Sequence, residues 1–145
     1  MKIYFTKLDK DAQIPTYAHA GDAGMDIRSI TDVVLNPGEV KIIHTGIAVA
    51  IEEGYELQVR PRSGLSLNTP LRIPNAPGTI DSGYRDEIGV IMENTSNKEP
   101  FTINKGDRIA QLVLSKYYKA EFEETIDVKK IGQNRNGGFG HSGIK

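Results

Sequence analysis

Arg62-Ser63-Gly64 sets a guanidinium, a hydroxyl and an unhindered backbone N–H in succession, a combination that can cradle an anion. Read alone, the same triplet serves as a turn and helix cap with a solvated arginine. A second stretch, Asn75 to Gly89, holds Asp81 and Tyr84 around the turn signal Ser82-Gly83. Thr79 and Ile80 favour strand, as does Glu87 to Met92, which predicts a tight β-hairpin with one carboxylate and one ring near its bend. Such a hairpin can hold a small planar ligand; the plainer reading is an aspartate that satisfies its own turn. In a third stretch Arg135, Phe139 and Ser142 stand among glycines. Glycine backbone can wrap a polyphosphate closely, arginine pairs with its charge, and an aromatic ring can stack on a base. The Lys-Ser/Thr of a Walker A loop is missing there, and composition alone also fits a disordered terminus.

Asp22, Asp26 and Asp81 offer oxygen to Mg²⁺, directly or through water. In isolation they read more readily as solvated loop carboxylates. His19, His44 and His141 show no zinc spacing; the first two are expected to be structural or on the surface, and His141 is a candidate phosphate contact. No Ser-His-Asp or Cys-His arrangement is readable. The chemistry expected is therefore direct attack by water on phosphorus, with Mg²⁺ and arginine stabilising charge and an aspartate orienting the nucleophile.

The elements that must position these groups read as strands. Lys2 to Leu8 alternates, residues 9 to 20 read as loop, and Asp26 enters a short strand beside Met25 and Ile27. Gly21 and Gly24 allow close backbone approach there. Val33 to Leu35, Val40 to Thr45, Gly46 to Ile51 and Tyr55 to Val59 are β-rich, with turns at Asn36-Pro37-Gly38 and Glu53-Gly54. Pro61 ends a strand, and Ser63 to Asn68 fits one helical turn. Phe101 to Ile103 is a short strand. Arg108 to Leu114 reads as a buried strand carrying two polar groups, Arg108 and Gln111, and Lys116 to Phe122 reads as its continuation. Strands recurring about every 8 to 12 residues predict an all-β sandwich or barrel. Residues 1–131 are expected to form the β domain and 132–145 a flexible glycine-rich tail.

The chain has 145 residues, net charge −1 and no cysteine, with a pI near 6.3. That length suits one domain with one substantial core. Mixed charge without a basic footprint argues against a nucleic-acid or membrane-surface binder. Disulfides and thiolate metal sites are excluded, which fits a reducing compartment. The apolar run at Ile3 to Phe5 is too short for a signal peptide, and Ile47 to Ile51 is far short of a membrane span. A cytoplasmic protein is expected.

Taken together, five segments in order resemble the motifs of the homotrimeric dUTP diphosphatases, from about Ile3 to Gly143. They are Ala20 to Ile27, Pro61 to Ser66, Gly78 to Arg85, Gly106 to Leu112 and Arg135 to Gly143. The resemblance implies a distorted jelly-roll β fold and a threefold trimer, each active site built from three chains, with the tail of one closing over a site formed by the others. It implies hydrolysis of dUTP to dUMP and pyrophosphate by water attack at the α-phosphorus, with Mg²⁺ as cofactor. By the same resemblance Asp81 holds the attacking water and touches the sugar, and Tyr84 packs against deoxyribose and excludes a 2′-hydroxyl. Asn75 and the backbone of Thr79 and Ile80 read uracil. Arg62, Ser63, Gly64 and Gln111 hold the phosphate chain, and Asp26 orients waters on Mg²⁺. Phe139 stacks over uracil, with Arg135, Gly140, His141 and Ser142 on the terminal phosphates or close to them. The chain departs from the commonest pattern at Gly83, Asp86, Asn136 and His141.

Two rival readings share the fold. The related dCTP deaminase has a similar hairpin, and Ser82-Gly83-Tyr84 leans that way. That enzyme needs a glutamate ten residues after the hairpin aspartate, where this chain has Ile91, and isoleucine cannot serve as an acid or base. A regulatory module that kept the pocket and lost the chemistry is the other.

Overall fold

The computed structural model describes residues 1–135 and 137. Eleven strands and one short helix follow in order: β1 (Tyr4–Lys7), β2 (Thr16–Tyr17), β3 (Gly24–Arg28), β4 (Val33–Leu35), β5 (Val40–Ala50), β6 (Tyr55–Arg60), α1 (Ser63–Asn68), β7 (Leu71–Arg72), β8 (Gly78–Ile80), β9 (Glu87–Asn94), β10 (Phe101–Ile103) and β11 (Arg108–Lys116). A 3-10 turn, Val128–Lys130, is the last element among the described residues. The strands form a distorted jelly-roll-like sandwich. One sheet has the order β1-β5-β9-β7, the other β2-β3-β11-β6-β8, and β4 and β10 make a separate pair.

Alternation explains how the core closes. Every second residue of β9 is buried, and Ile88, Val90 and Met92 are essentially inaccessible. From the opposite sheet Ile27, Leu57, Ile109 and Leu112 join the same cluster. Each such side chain contributes about 1.5–3 kcal/mol on burial, so the two sheets are held in register by their inward faces. Asn94 is fully buried yet satisfied: its Nδ2 donates to the carbonyls of Leu35 and Glu99, at 2.9 and 3.0 Å.

Four strand expectations need correction. Thr79–Ile80 and Glu87–Met92 do not form a hairpin with one another. β8 pairs with β6, whereas β9 pairs with β5 and β7, so residues 81–86 carry the chain from one sheet to the other. Each strand has its ladder partner elsewhere, and local alternation does not report that. The two runs Val40–Thr45 and Gly46–Ile51 are one strand, β5, broken by a bulge: His44 faces Gly89 and Ala48 faces Glu87. Lys116 to Phe122 does not continue as strand. Lys116 pairs with Tyr55, the first residue of β6, so no partner strand remains beyond it, and Tyr118 and Phe122 are exposed. Finally, the expected loop at residues 9 to 20 contains β2, paired with β3.

Candidate active site

Asp26 lies on β3 and is 8% exposed. A carboxylate so buried needs partners, and two arginines supply them. Arg62 Nε donates to its Oδ1 at 2.9 Å, and an Arg108 terminal nitrogen donates to Oδ2 at 3.1 Å. Arg62 also donates to the Arg108 carbonyl at 3.2 Å. The sequence places Arg62 there by ending β6 at Arg60 and Pro61, so that Arg62 sits with extended backbone just ahead of α1. Arg62 caps the helix through its backbone, its carbonyl accepting from the Ser66 N–H at 3.0 Å, while its side chain makes no cap bond and is not fully solvated. These contacts use part of a five-donor fork, leaving donors for an anion.

Ser63 and Gly64 open α1 and are exposed. A Cβ at Gly64 would meet nothing within 4 Å, so packing within the chain does not account for that glycine. Gln111 pairs across the ladder with Asp26 on one side and Arg60 on the other. Its amide lies against Gly24: a Cβ there would come within 3.1 Å of Gln111 Cδ and Oε1. The small residue of the first motif thus makes room for the amide of the fourth. Asp26, Arg62, Ser63, Gly64 and Gln111 are therefore neighbours. A cavity of about 470 Å³ lies on the Arg62 side of this group, bordered by Arg28, Arg62 and Arg108.

A second group lies at the far edge of the same sheet. Thr79 is exposed and Ile80 buried on β8. Asn75 is exposed, and its Nδ2 would be 3.3 Å from a Cβ at Gly78. The turn after β8 closes through backbone, the Tyr84 N–H donating to the Asp81 carbonyl at 3.0 Å. Asp81 is exposed, and among the described residues its carboxylate accepts no hydrogen bond; the turn does not consume it. Tyr84 is 38% exposed, and its hydroxyl donates to the Glu87 carbonyl at 2.8 Å. Three strand steps separate Asp26 on β3 from β8, roughly 14 Å at ordinary strand spacing, whereas Arg62 to Gly64 follow β6, the direct neighbour of β8. One chain thus carries, on one sheet, a buried carboxylate with two arginines and a turn with an exposed carboxylate and a ring.

Arg135 is exposed, and its Nε donates to the Gly137 carbonyl at 3.2 Å. Phe139, Gly140, His141 and Ser142 lie outside the described residues.

Two residues were missed as site components. Arg108 stood out only as a charge at the head of an apolar strand, a signal that could have paired it with a buried carboxylate. Glu87 was read as plain strand. Its Oε1 accepts from the N–H groups of Thr45 (3.0 Å) and Gly46 (2.7 Å), and Oε2 meets His44 Nδ1 at 2.8 Å. Burial pushes this carboxyl up, but the His44 contact and the two backbone N–H groups outweigh it and hold Glu87 below the usual carboxylate range.

The architecture is that of a jelly-roll protein with an arginine-lined cavity beside one sheet. A family model described as dUTPase matches residues 10–143. Deoxyuridine 5′-triphosphate nucleotidohydrolases from Alkaliphilus metalliredigens (46% identical over 143 residues) and Helicobacter pylori strain J99 (45% over 144) each align with 99% of this chain and 98% of their own. Among solved structures, a mutant dUTPase of Staphylococcus bacteriophage 80alpha, bound to dUpNHpp, superposes with a TM-score of 0.90 at 31% identity over 99% of both chains. A mutant dUTPase from phage phi11 of S. aureus, described with a structural Mg(II) ion, gives 0.82 at 30% identity, covering 89% of this chain and 99% of its own. The chain belongs to the dUTPase family.

Proposed function

We propose that this protein hydrolyses dUTP to dUMP and pyrophosphate. The observation that carries the reading is the full-length match to nucleotidohydrolases of that name, in a chain that keeps Asp81 exposed and its carboxylate unengaged among the described residues. Asp81 orients a water and takes its proton as the water oxygen bonds to the α-phosphorus. The bridging P–O bond breaks and pyrophosphate leaves. Arg62, with Ser63, Gly64 and Gln111, holds the phosphate chain and stabilises charge as the bond breaks. Asn75 and the backbone of Thr79 and Ile80 read the uracil edge, and Tyr84 packs against deoxyribose. Arg135, Phe139, Gly140, His141 and Ser142, on a tail of residues 132–145 appended to a 1–131 domain, close over a site of another chain in a homotrimer.

Mg²⁺ fits this donor set in one way. Among the described residues no three or more His, Asp or Glu side chains gather as ligands. Asp26, whose two oxygens each accept one arginine bond, retains lone pairs for waters. A cation carried by substrate phosphates, with Asp26 reached through water, suits Mg²⁺ better than a cage of carboxylates. When bound it would neutralise phosphate charge. We place the reaction in the cytoplasm, where it would supply dUMP for dTTP synthesis and keep uracil out of DNA. Among the described residues no helix is long and apolar enough to cross a membrane.

The test is pyrophosphate release from dUTP, dTTP, dCTP and UTP, with and without Mg²⁺. Release from dUTP alone, stimulated by Mg²⁺, is expected. Ammonia from dCTP would point to deaminase chemistry, and dUTP bound without turnover to a regulatory module.

A further inference from the structure

We propose that Glu87 is a positioning residue for sugar selection: its carboxylate, seated in the β5 bulge, fixes the backbone carbonyl that holds the Tyr84 hydroxyl. The inference rests on Tyr84 packing against the sugar, as above. Tyr84 is tied at both ends of its turn. Its N–H donates to the Asp81 carbonyl at 3.0 Å and its hydroxyl to the Glu87 carbonyl at 2.8 Å. The first tie is to the residue that would hold the attacking water. The second is to the first residue of β9, which faces Ala48 just beyond the point where the β5–β9 register slips.

The Glu87 side chain adds a second anchor to that ladder pair. Between His44 and Ala48 the β5–β9 register slips, and a bulge leaves N–H groups without ladder carbonyls. The Glu87 carboxylate takes those of Thr45 and Gly46 at 3.0 and 2.7 Å. Charge-assisted bonds of this kind are about twice as strong as neutral ones. The bulge behind them cannot drift. Gly46 has φ +67, and a Cβ there would come within 2.9 Å of Ala12 Cβ, so it is packed tightly. The Thr45 hydroxyl also donates to the Ile88 carbonyl at 2.6 Å. The ring that would judge the 2′ position is thus referenced through Glu87 to the rigid middle of the other sheet.

A role in stability alone predicts a different outcome, and the ratio of kcat/KM for dUTP to that for UTP separates the two. Glu87→Ala is expected to lower that ratio about three- to tenfold, the equivalent of one hydrogen bond. Glu87→Gln, which keeps an acceptor for Thr45 and Gly46, should restore most of it. On a Tyr84→Phe background, where the hydroxyl is gone, Glu87→Ala should change the ratio by less than about twofold, since contacts acting through one bond are not additive. Should Glu87→Ala fail to fold, Glu87→Asp, whose carboxylate falls one methylene short of the amides, carries the same comparison. A lowered Tm with an unchanged ratio overturns the assignment, as does a full additional loss on the Tyr84→Phe background. A wild-type protein with no dUTP turnover overturns the proposed function as well; active wild type with a ratio indifferent to Glu87 overturns this role alone.

Discussion

Asp26→Asn changes one oxygen to nitrogen in a side chain that is 8% exposed, and its consequences can be worked from two contacts. The amide can still accept from one arginine. Toward the other it presents an N–H against an N–H, at a site where the carboxylate accepted at 2.9 or 3.1 Å. A hydrogen bond to a charged group contributes about 1.5–3 kcal/mol net. The Arg108 side chain is 45% exposed and can turn to water, whereas Arg62 is 23% exposed and cannot do so fully. The expected loss is therefore nearer one bond than two, about 2–3 kcal/mol. For a domain of this size that lowers Tm by roughly 6–12 °C.

The catalytic effect should be larger than the loss of stability implies. Arg62 would keep its bond to the Arg108 carbonyl at 3.2 Å but exchange the charged oxygen that sets its angle for at best a neutral amide oxygen, and a misplacement of about 1 Å can cost about 100-fold in rate. Urea midpoints at fixed protein concentration and pyrophosphate release from dUTP measure the two effects. Asp22→Asn is the control: among the described residues its carboxylate accepts only from the nearby His19 N–H, at 2.8 Å on the surface, and the amide can do the same, so stability should hold within about 0.5 kcal/mol. If Asp26→Asn matched the parent in both assays, the carboxylate would not be what organises the arginines, and the anion site would have to be rebuilt around other contacts.

Asp81→Asn should retain dUTP binding and lose about 100- to 10,000-fold in turnover, the usual range for a positioned base; titration calorimetry beside single-turnover release checks both, and near-normal turnover removes Asp81 from its role. Deleting residues 132–145 should leave the sandwich folded, because its last strand ends at Lys116, with dUTP hydrolysis strongly reduced; a fully active truncation refutes closure by the tail. Tyr84→Ala should admit UTP, and unchanged discrimination in competition assays would contradict the steric reading. The last concerns pH. Glu87 sits below its ordinary value of 4.5 in the folded protein, so it contributes stability above that value and loses it as pH falls through the lowered one. The stability gap between wild type and Glu87→Gln should narrow on acidification below about pH 4.5, and urea midpoints that keep a constant gap down to pH 3 would contradict the Glu87 contacts.

Most of the strands were legible because they write their own periodicity. β9 alternates buried and half-buried residues throughout, and that pattern is visible wherever one face meets the core. The helix was legible from Pro61 and the small residues after it. What alternation cannot carry is partnership. Thr79–Ile80 and Glu87–Met92 look like two arms of a hairpin, since a turn signal lies between them, and yet each takes its hydrogen bonds from a strand remote in sequence. The same limit explains the strand wrongly extended past Lys116: Tyr117 to Phe122 has the composition of a strand, and its end is set by where β6 begins at Tyr55.

The site divides along the same line. Asp26, Arg62 and Gln111 could be singled out as chemistry-bearing residues, because a carboxylate, guanidinium or amide inside a short apolar strand or beside a turn is conspicuous. Their mutual arrangement could not be read, since Asp26 and Arg108 are separated by 82 residues and Thr45 and Glu87 by 42. Arg108 and Glu87 went unassigned for that reason: each looks like an ordinary charge at a strand's first position, where solvated charges are common. Only the partner makes the difference. Arg108 faces a carboxylate buried on the neighbouring strand, and Glu87 faces amides that a bulge has left without carbonyls. A bulge is itself the product of two strands failing to match in length, here four steps of β5 against two of β9. Thus the residue that holds the Tyr84 turn in place is defined by a mismatch between strands, a quantity that belongs to the pair and to neither segment alone.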